Sequence, residues 1–111
     1  MDKFWPGPLT LVLKARNPNS SIAFKEKIGL RIPNHNIVLG ILKKIDFPLV
    51  LPSANKSDKE APCSADNLLS DFNGIVDLII DGGKTNIGIE STVLDLTTTP
   101  FSLIRKGAVA I

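Results

Sequence analysis

Six polar side chains in this 111-residue chain stand where an apolar run meets a turn: Arg31, Ser53, Asn55, Ser91, Thr92 and Arg105. Their shared chemistry is anion recognition. A guanidinium presents a planar fork of donors that matches carboxylate and phosphate, while Ser, Thr and Asn side chains and freed backbone N–H groups complete the hydrogen-bond count. Each also has a plain structural reading. An Arg in a short strand commonly snorkels to the surface, and Ser53-Ala54-Asn55 directly after Pro52 reads as a turn.

Other chemistries are poorly served. One histidine, His35, and one cysteine, Cys63, supply too few soft ligands for a metal site. His35 would also be the sole base available to a nucleophilic triad, and no Ser or Cys stands in an elbow motif. Asp81-Gly82-Gly83-Lys84 lacks the spacing and the following helix of a phosphate-binding loop, and reads as a turn. Thirteen Lys+Arg against eleven Asp+Glu leave a net charge of +2, which makes no case for a protein that coats polyanions. A single thiol cannot form an internal disulfide and suits a reducing, cytoplasmic compartment. The start of the chain has no apolar stretch before Pro6, unlike a signal peptide, and the apolar runs, such as Phe47 to Pro52, fall far short of the roughly 20 residues of a membrane helix. A soluble protein with no membrane partner is the expectation.

The elements that would position these residues follow from pattern and punctuation. At 12.0 kDa the chain is expected to form one domain, 1–111, with 43% hydrophobic residues, 22% charged residues and a mean hydropathy of +0.16, the composition of a packed protein. Trp5-Pro6-Gly7-Pro8 is a rigid turn, and residues 9–15 form a β-prone run in which Leu9, Leu11 and Leu13 point one way and Thr10, Val12 and Lys14 the other. Residues 28–32 predict a short strand ended by Pro33. Asn34 is the expected N-cap of a helix carrying Ile37, Ile41, Leu42 and Ile45 on one face. Phe47–Pro52 predicts another strand, Lys56–Pro62 a polar turn, and Ser64 the cap of a helix through Asp71 or Phe72 that ends at Asn73-Gly74. Strands are further predicted over Val76–Asp81, Ser91–Leu96 and Ser102–Arg105. About six strands and two or three helices give an α/β fold, a single mixed sheet.

Five motifs occur in one order along the chain: Phe4-Trp5-Pro6-Gly7-Pro8-Leu9-Thr10, Gly29-Leu30-Arg31-Ile32-Pro33, Pro52-Ser53-Ala54-Asn55, Gly88-Ile89-Glu90-Ser91-Thr92-Val93-Leu94-Asp95 and Ile104-Arg105-Lys106-Gly107-Ala108. Together they resemble the C-terminal part of the YrdC domain, the threonylcarbamoyl-AMP synthase family, and they cover essentially the whole chain. The resemblance implies an α/β twisted mixed sheet with a concave face. It implies an activity joining L-threonine, bicarbonate and ATP into threonylcarbamoyl-adenylate and pyrophosphate, the donor for a tRNA adenosine modification. It implies no tightly bound cofactor, with Mg2+ accompanying ATP.

Carried over by motif, the resemblance places Arg31, Ser91 and the backbone around Leu51 at threonine, and Ser53, Asn55, Ala61 and Arg105 at ATP. Two departures stand out. Where the family commonly reads Ser-Gly-x-Pro-Ser-Pro-Thr, this chain has Ser57-Asp58-Lys59-Glu60-Ala61-Pro62-Cys63-Ser64, with Asp58 and Glu60 adding negative charge. The family's Lys-x-Arg pair, which grips the ATP phosphates, has no counterpart here. The expectation is therefore a C-terminal portion of the domain, a gene fragment or the complement of a separately encoded N-terminal half, with little activity alone. Two other readings stay open: a carbamoyl-adenylate-forming domain of the HypF type, and a non-catalytic module that binds tRNA or double-stranded RNA.

Overall fold

A computed structural model describes residues 3–55 and 61–111. Asp58 and Glu60, with the rest of the expected turn from Lys56 to Glu60, lie outside the described residues. The elements in chain order are β1 (Leu9–Lys14), β2 (Lys27–Leu30), α1 (Asn36–Leu42), α2 (Ala65–Phe72), β3 (Thr92–Asp95) and β4 (Ser102–Arg105). The fold is mixed α/β, with one four-stranded sheet in the order β2-β1-β3-β4. Strand β1 is antiparallel to β2 and parallel to β3, and β4 is antiparallel to β3. The chain divides into two compact units, Met1–Pro48 with Ile89–Ile111, and Leu49–Gly88. The sheet and α1 belong to the first unit and α2 to the second.

The alternation expected along β1 is present. Leu9 and Leu11 are buried, Thr10 and Val12 are half-buried and Lys14 is exposed. Residues paired in register share a face of the sheet. Leu9, Leu11 and Leu13 therefore lie with Thr92, Leu94, Leu30, Ile28 and Leu103 on an apolar face. Thr10, Val12 and Lys14 lie with Gly29, Lys27, Val93, Asp95 and Arg105 on a polar one. The Trp5 indole Nε1 donates to Leu9 O at 2.7 Å and pins the entry turn onto β1.

Several expected elements differ. Phe47–Pro52 and Val76–Asp81 are not strands: neither run pairs with a neighbour among the described residues, and Val50, Leu51 and Leu78 stay exposed. Apolar, β-branched sequence gives a capacity for strand formation, but a ladder requires a partner edge. Four strands thus replace the expected six. Strand β2 spans Lys27–Leu30 rather than 28–32, leaving Arg31 and Ile32 just past its end. Helix α1 is capped at His35 rather than Asn34, because His35 O is the carbonyl that accepts the first helical bond, from Leu39 N at 2.9 Å. Ile45 falls beyond its last turn. Ser64 does occupy the N-cap of α2, with its Oγ donating to Asn67 Oδ1 at 2.9 Å, and Asn73 followed by Gly74 at φ +75° ends that helix. Among the described residues no helix is long and apolar enough to cross a membrane.

Buried Asp95 ties β3 to β2 across β1. Its carboxylate accepts from Lys27 Nζ at 2.8 Å across β1, and from Thr97 Oγ1 and Thr97 N at 2.6 and 2.8 Å. The Lys27 hydrogen bond, then the two Thr97 bonds, hold its pKa down at about 2. A carboxyl at about 3.9 in the unfolded chain and lower in the folded one stabilises fully above that value. That stabilisation drains away as pH falls through about 2. Asp95→Asn is therefore expected to be less stable than the parent at pH 7, with the gap narrowing steadily below pH about 4. Urea midpoints measured from pH 7 to pH 2 read this directly, and a gap independent of pH would remove the carboxylate from the account.

Candidate functional site

Past β2, the alternation that puts Lys27 and Gly29 on the polar face puts Arg31 there too, and before β3 the same alternation puts Ser91 with Val93 and Asp95. Strand β4 delivers Arg105 to that face opposite Val93. The end of β2, the beginning of β3 and the end of β4 lie at one end of the sheet, so Arg31, Ser91 and Arg105 come together there from positions spread over most of the chain.

The contacts are specific. Ser91 is buried, and its Oγ accepts from Arg105 Nη2 at 3.0 Å and shares a 2.9 Å hydrogen bond with Thr10 Oγ1. Arg105 Nε donates to Ser91 O at 3.0 Å, and its Nη1 lies 3.0 Å from Glu90 Oε1. Arg31 Nε donates to Gly7 O at 3.0 Å, which holds the guanidinium against the entry turn. Burial, followed by the like charge of Arg105, lowers the Arg31 pKa from its ordinary value. Arg31 thus feels a like charge nearby, which an anion bound at its guanidinium offsets.

The C-terminal segment locks this geometry. Thr92 is completely buried, and its hydroxyl uses its full capacity: it donates to Val109 O at 2.6 Å and accepts from Gly107 N and Val109 N at 3.1 and 3.0 Å. Ala108 N donates to Glu90 O at 2.9 Å. Gly107 crosses so close to β3 that a Cβ there would run into Glu90 O and the Ser91–Thr92 peptide.

The other sequence-predicted residues belong to the second unit. Leu51 is exposed and lies outside the helices and strands, and Ser53 and Asn55 follow it. Asn55 and Ala61 line one cavity of about 460 Å³ with Ala54, Pro62, Cys63 and Asn67. Among the described residues no three His, Cys, Asp or Glu side chains gather as a metal site.

The family model Sua5_yciO_yrdC, described as Telomere recombination, matches residues 1–107. The chain belongs to that family. It is 45% identical over 107 residues to the threonylcarbamoyl-AMP synthase of Pyrococcus abyssi, covering 95% of this chain and 32% of that one. It is 38% identical over 112 residues to the threonylcarbamoyl-AMP synthase of Bacillus subtilis, covering 98% of this chain and 32% of that one. A crystal structure of P. abyssi Sua5 complexed with L-threonine superposes with a TM-score of 0.84 at 43% identity, over 96% of this chain and 32% of that one. The chain thus spans about a third of the length of these relatives.

Local sequence pattern does not single out Thr10, Glu90 or Gly7 as members of this strand-end cluster. Thr10 ends the first motif and stands on the face of β1 opposite the leucines, but its bond to Ser91 spans 81 positions. Glu90 stands beside Ser91 in the sequence but meets Arg105 only through the β3–β4 pairing.

Proposed function

We propose that the chain supplies the threonine subsite, and part of the nucleotide subsite, of a threonylcarbamoyl-AMP synthase. Such an enzyme joins L-threonine, bicarbonate and ATP into threonylcarbamoyl-adenylate and pyrophosphate for modification of a tRNA adenosine. One observation carries the reading: Arg31, Arg105 and Ser91 meet at one strand end in a chain 45% identical to an enzyme of that name. The names of the relatives favour this over the carbamoyl-adenylate and RNA-binding alternatives.

In this reading the threonine carboxylate pairs with the Arg31 fork, where it offsets both the partial desolvation of that cation and its repulsion by Arg105. Ser91 adds its hydroxyl to the amino-acid contacts, and the family motif assigns the backbone at Leu51, in the second unit, to threonine recognition. Ser53, Asn55 and Ala61 face the nucleotide, and the 460 Å³ cavity at Asn55 and Ala61 falls in the size range of small-molecule sites. Arg105 gives three of its five N–H donors to Ser91 and Glu90, so toward ATP it keeps two donors and its flat face. Magnesium arrives with the nucleotide phosphates. The complete reaction is assigned to these residues together with the remainder of such a protein, in the cytoplasm.

Calorimetric titration of the chain with L-threonine tests the reading, with L-threonine methyl ester as the ligand that lacks the carboxylate charge. L-threonine is expected to bind at least about tenfold more tightly than the ester, the scale of one charge-assisted hydrogen bond. Equal binding of the two, or none of either, overturns it.

A further inference from the structure

We propose that Thr10 is a ligand-contacting residue of the amino-acid subsite, its hydroxyl and that of Ser91 forming one unit that donates a single polarised O–H to the substrate carboxylate. This inference rests on the threonine-subsite reading above and adds to it a residue, an atom and a direction of hydrogen bonding.

Two hydroxyls have two hydrogens between them. One lies in the 2.9 Å bond between Thr10 Oγ1 and Ser91 Oγ, whichever of the two donates it. Arg105 Nη2, a cation, donates into Ser91 Oγ at 3.0 Å and can only donate. If Ser91 donates to Thr10, the spare hydrogen is on Thr10. If Thr10 donates to Ser91, the spare hydrogen is on Ser91. In both cases exactly one O–H is left over, and the guanidinium at the other end of the chain of hydrogen bonds makes it a stronger donor. A polarised donor of this kind suits an anionic acceptor.

The surroundings of Thr10 say where that acceptor sits. The β1–β2 register pairs Leu11 with Leu30, and carried one residue further it sets Thr10 opposite Arg31 on the polar face. Diagonally from Thr10 on β2 is Gly29, which puts no side chain on that face; even a Cβ there would reach only ordinary contact, 3.6 Å from Thr10 Cγ2. Bare backbone at Gly29 therefore leaves a notch on one side of Thr10, between Arg31 and Lys27, with Ser91 on the other side of Thr10. A carboxylate seated in it takes the Arg31 fork through one oxygen and the hydroxyl unit through the other.

The test is calorimetric titration of the full chain, and of its Thr10→Val and Thr10→Ser variants, with L-threonine and with L-threoninamide, which keeps the amine and side chain but has no carboxylate. For L-threonine, Thr10→Val is expected to weaken binding about tenfold or more and Thr10→Ser by less than about threefold, since valine keeps the shape and serine keeps the hydroxyl. For L-threoninamide, the parent and Thr10→Val are expected to bind alike. Gly29→Ala, which narrows the notch without touching any hydroxyl, is expected to weaken L-threonine binding while leaving the urea midpoint near that of the parent. Thr10→Val binding L-threonine as the parent does overturns the proposal and leaves the subsite reading intact. An equal loss for acid and amide overturns it too, because the role of Thr10 is then structural. If the parent ignores L-threonine but takes a plain monocarboxylate such as L-lactate, more weakly in Thr10→Val, the amino-acid reading fails and the carboxylate contact of Thr10 stands.

Discussion

Replacing Arg31 by methionine is expected to weaken L-threonine binding by about a hundredfold while leaving the fold as stable as before. Losing one member of a desolvated, hydrogen-bonded charge pair costs about 2–5 kcal/mol of binding, or roughly thirtyfold to several thousandfold. For most site residues stability would move in the same direction, but here two features of the free protein penalise the cation: the partial desolvation of its otherwise exposed side chain and the like charge of Arg105. Methionine removes both penalties and keeps the apolar stem, at the cost of the single bond from Arg31 Nε to Gly7 O, about 1 kcal/mol. Binding lost with stability kept is the signature of a charge held for a ligand. Arg31→Lys is expected to fall between the two, since it retains the charge but not the planar fork. Titration with L-threonine alongside urea unfolding measures both quantities. A variant that binds normally, or one that unfolds several kcal/mol more easily, would show that Arg31 serves the fold instead.

Thr92→Val is expected to lose about 3 kcal/mol of stability. Valine matches threonine in shape, so the change isolates the hydroxyl. Without it, Val109 O, Gly107 N and Val109 N lose their partner at a fully buried side chain. Each such group costs about 1–3 kcal/mol to leave unsatisfied, with partial relief as the terminal segment shifts. Against a total of about 5–15 kcal/mol for a small domain, this loss is large. Thr92→Ser keeps the hydroxyl and is expected to lose about 1 kcal/mol, the share of one methyl group. Gly107→Ala attacks the same clasp from the other side: its methyl meets backbone at Glu90, Ser91 and Thr92, and overpacking against groups that cannot rotate away costs about 1–3 kcal/mol or more. Urea midpoints for the three variants give the comparison, and valine and serine variants of equal stability would show that the hydroxyl is not what holds the segment.

The two runs that failed to become strands explain how far local pattern reaches. Phe47–Pro52 and Val76–Asp81 are as apolar as Leu9–Leu13, but β1 has β2 on one side and β3 on the other, whereas the former two have no paired neighbour among the described residues. Composition cannot distinguish these cases, because hydrogen bonding in a strand is satisfied by another segment. Helix α2 was legible for the opposite reason. Its bonds are internal, and Ser64 at one end with Asn73-Gly74 at the other mark its limits within the sequence itself.

The same distinction divides the site. By itself the sequence determined the side on which each side chain stands within its own strand, since a period of two is local, and it singled out Arg31, Ser91 and Arg105 as residues at strand ends. Five motifs in order were also enough to point to the family. Only the tertiary structure decided that these three meet. Their meeting depends on the order β2-β1-β3-β4 and on the registers of three ladders, which join residues up to 83 positions apart, such as Leu9 and Thr92. It also decided that Thr10 is bonded to Ser91, that Arg105 is held by Ser91 and Glu90, and that a buried threonine hydroxyl fastens the chain's last residues behind them. These are contacts between side chains and distant backbone, and no local propensity encodes them; they exist because the pairing of strands brings their donors and acceptors within reach.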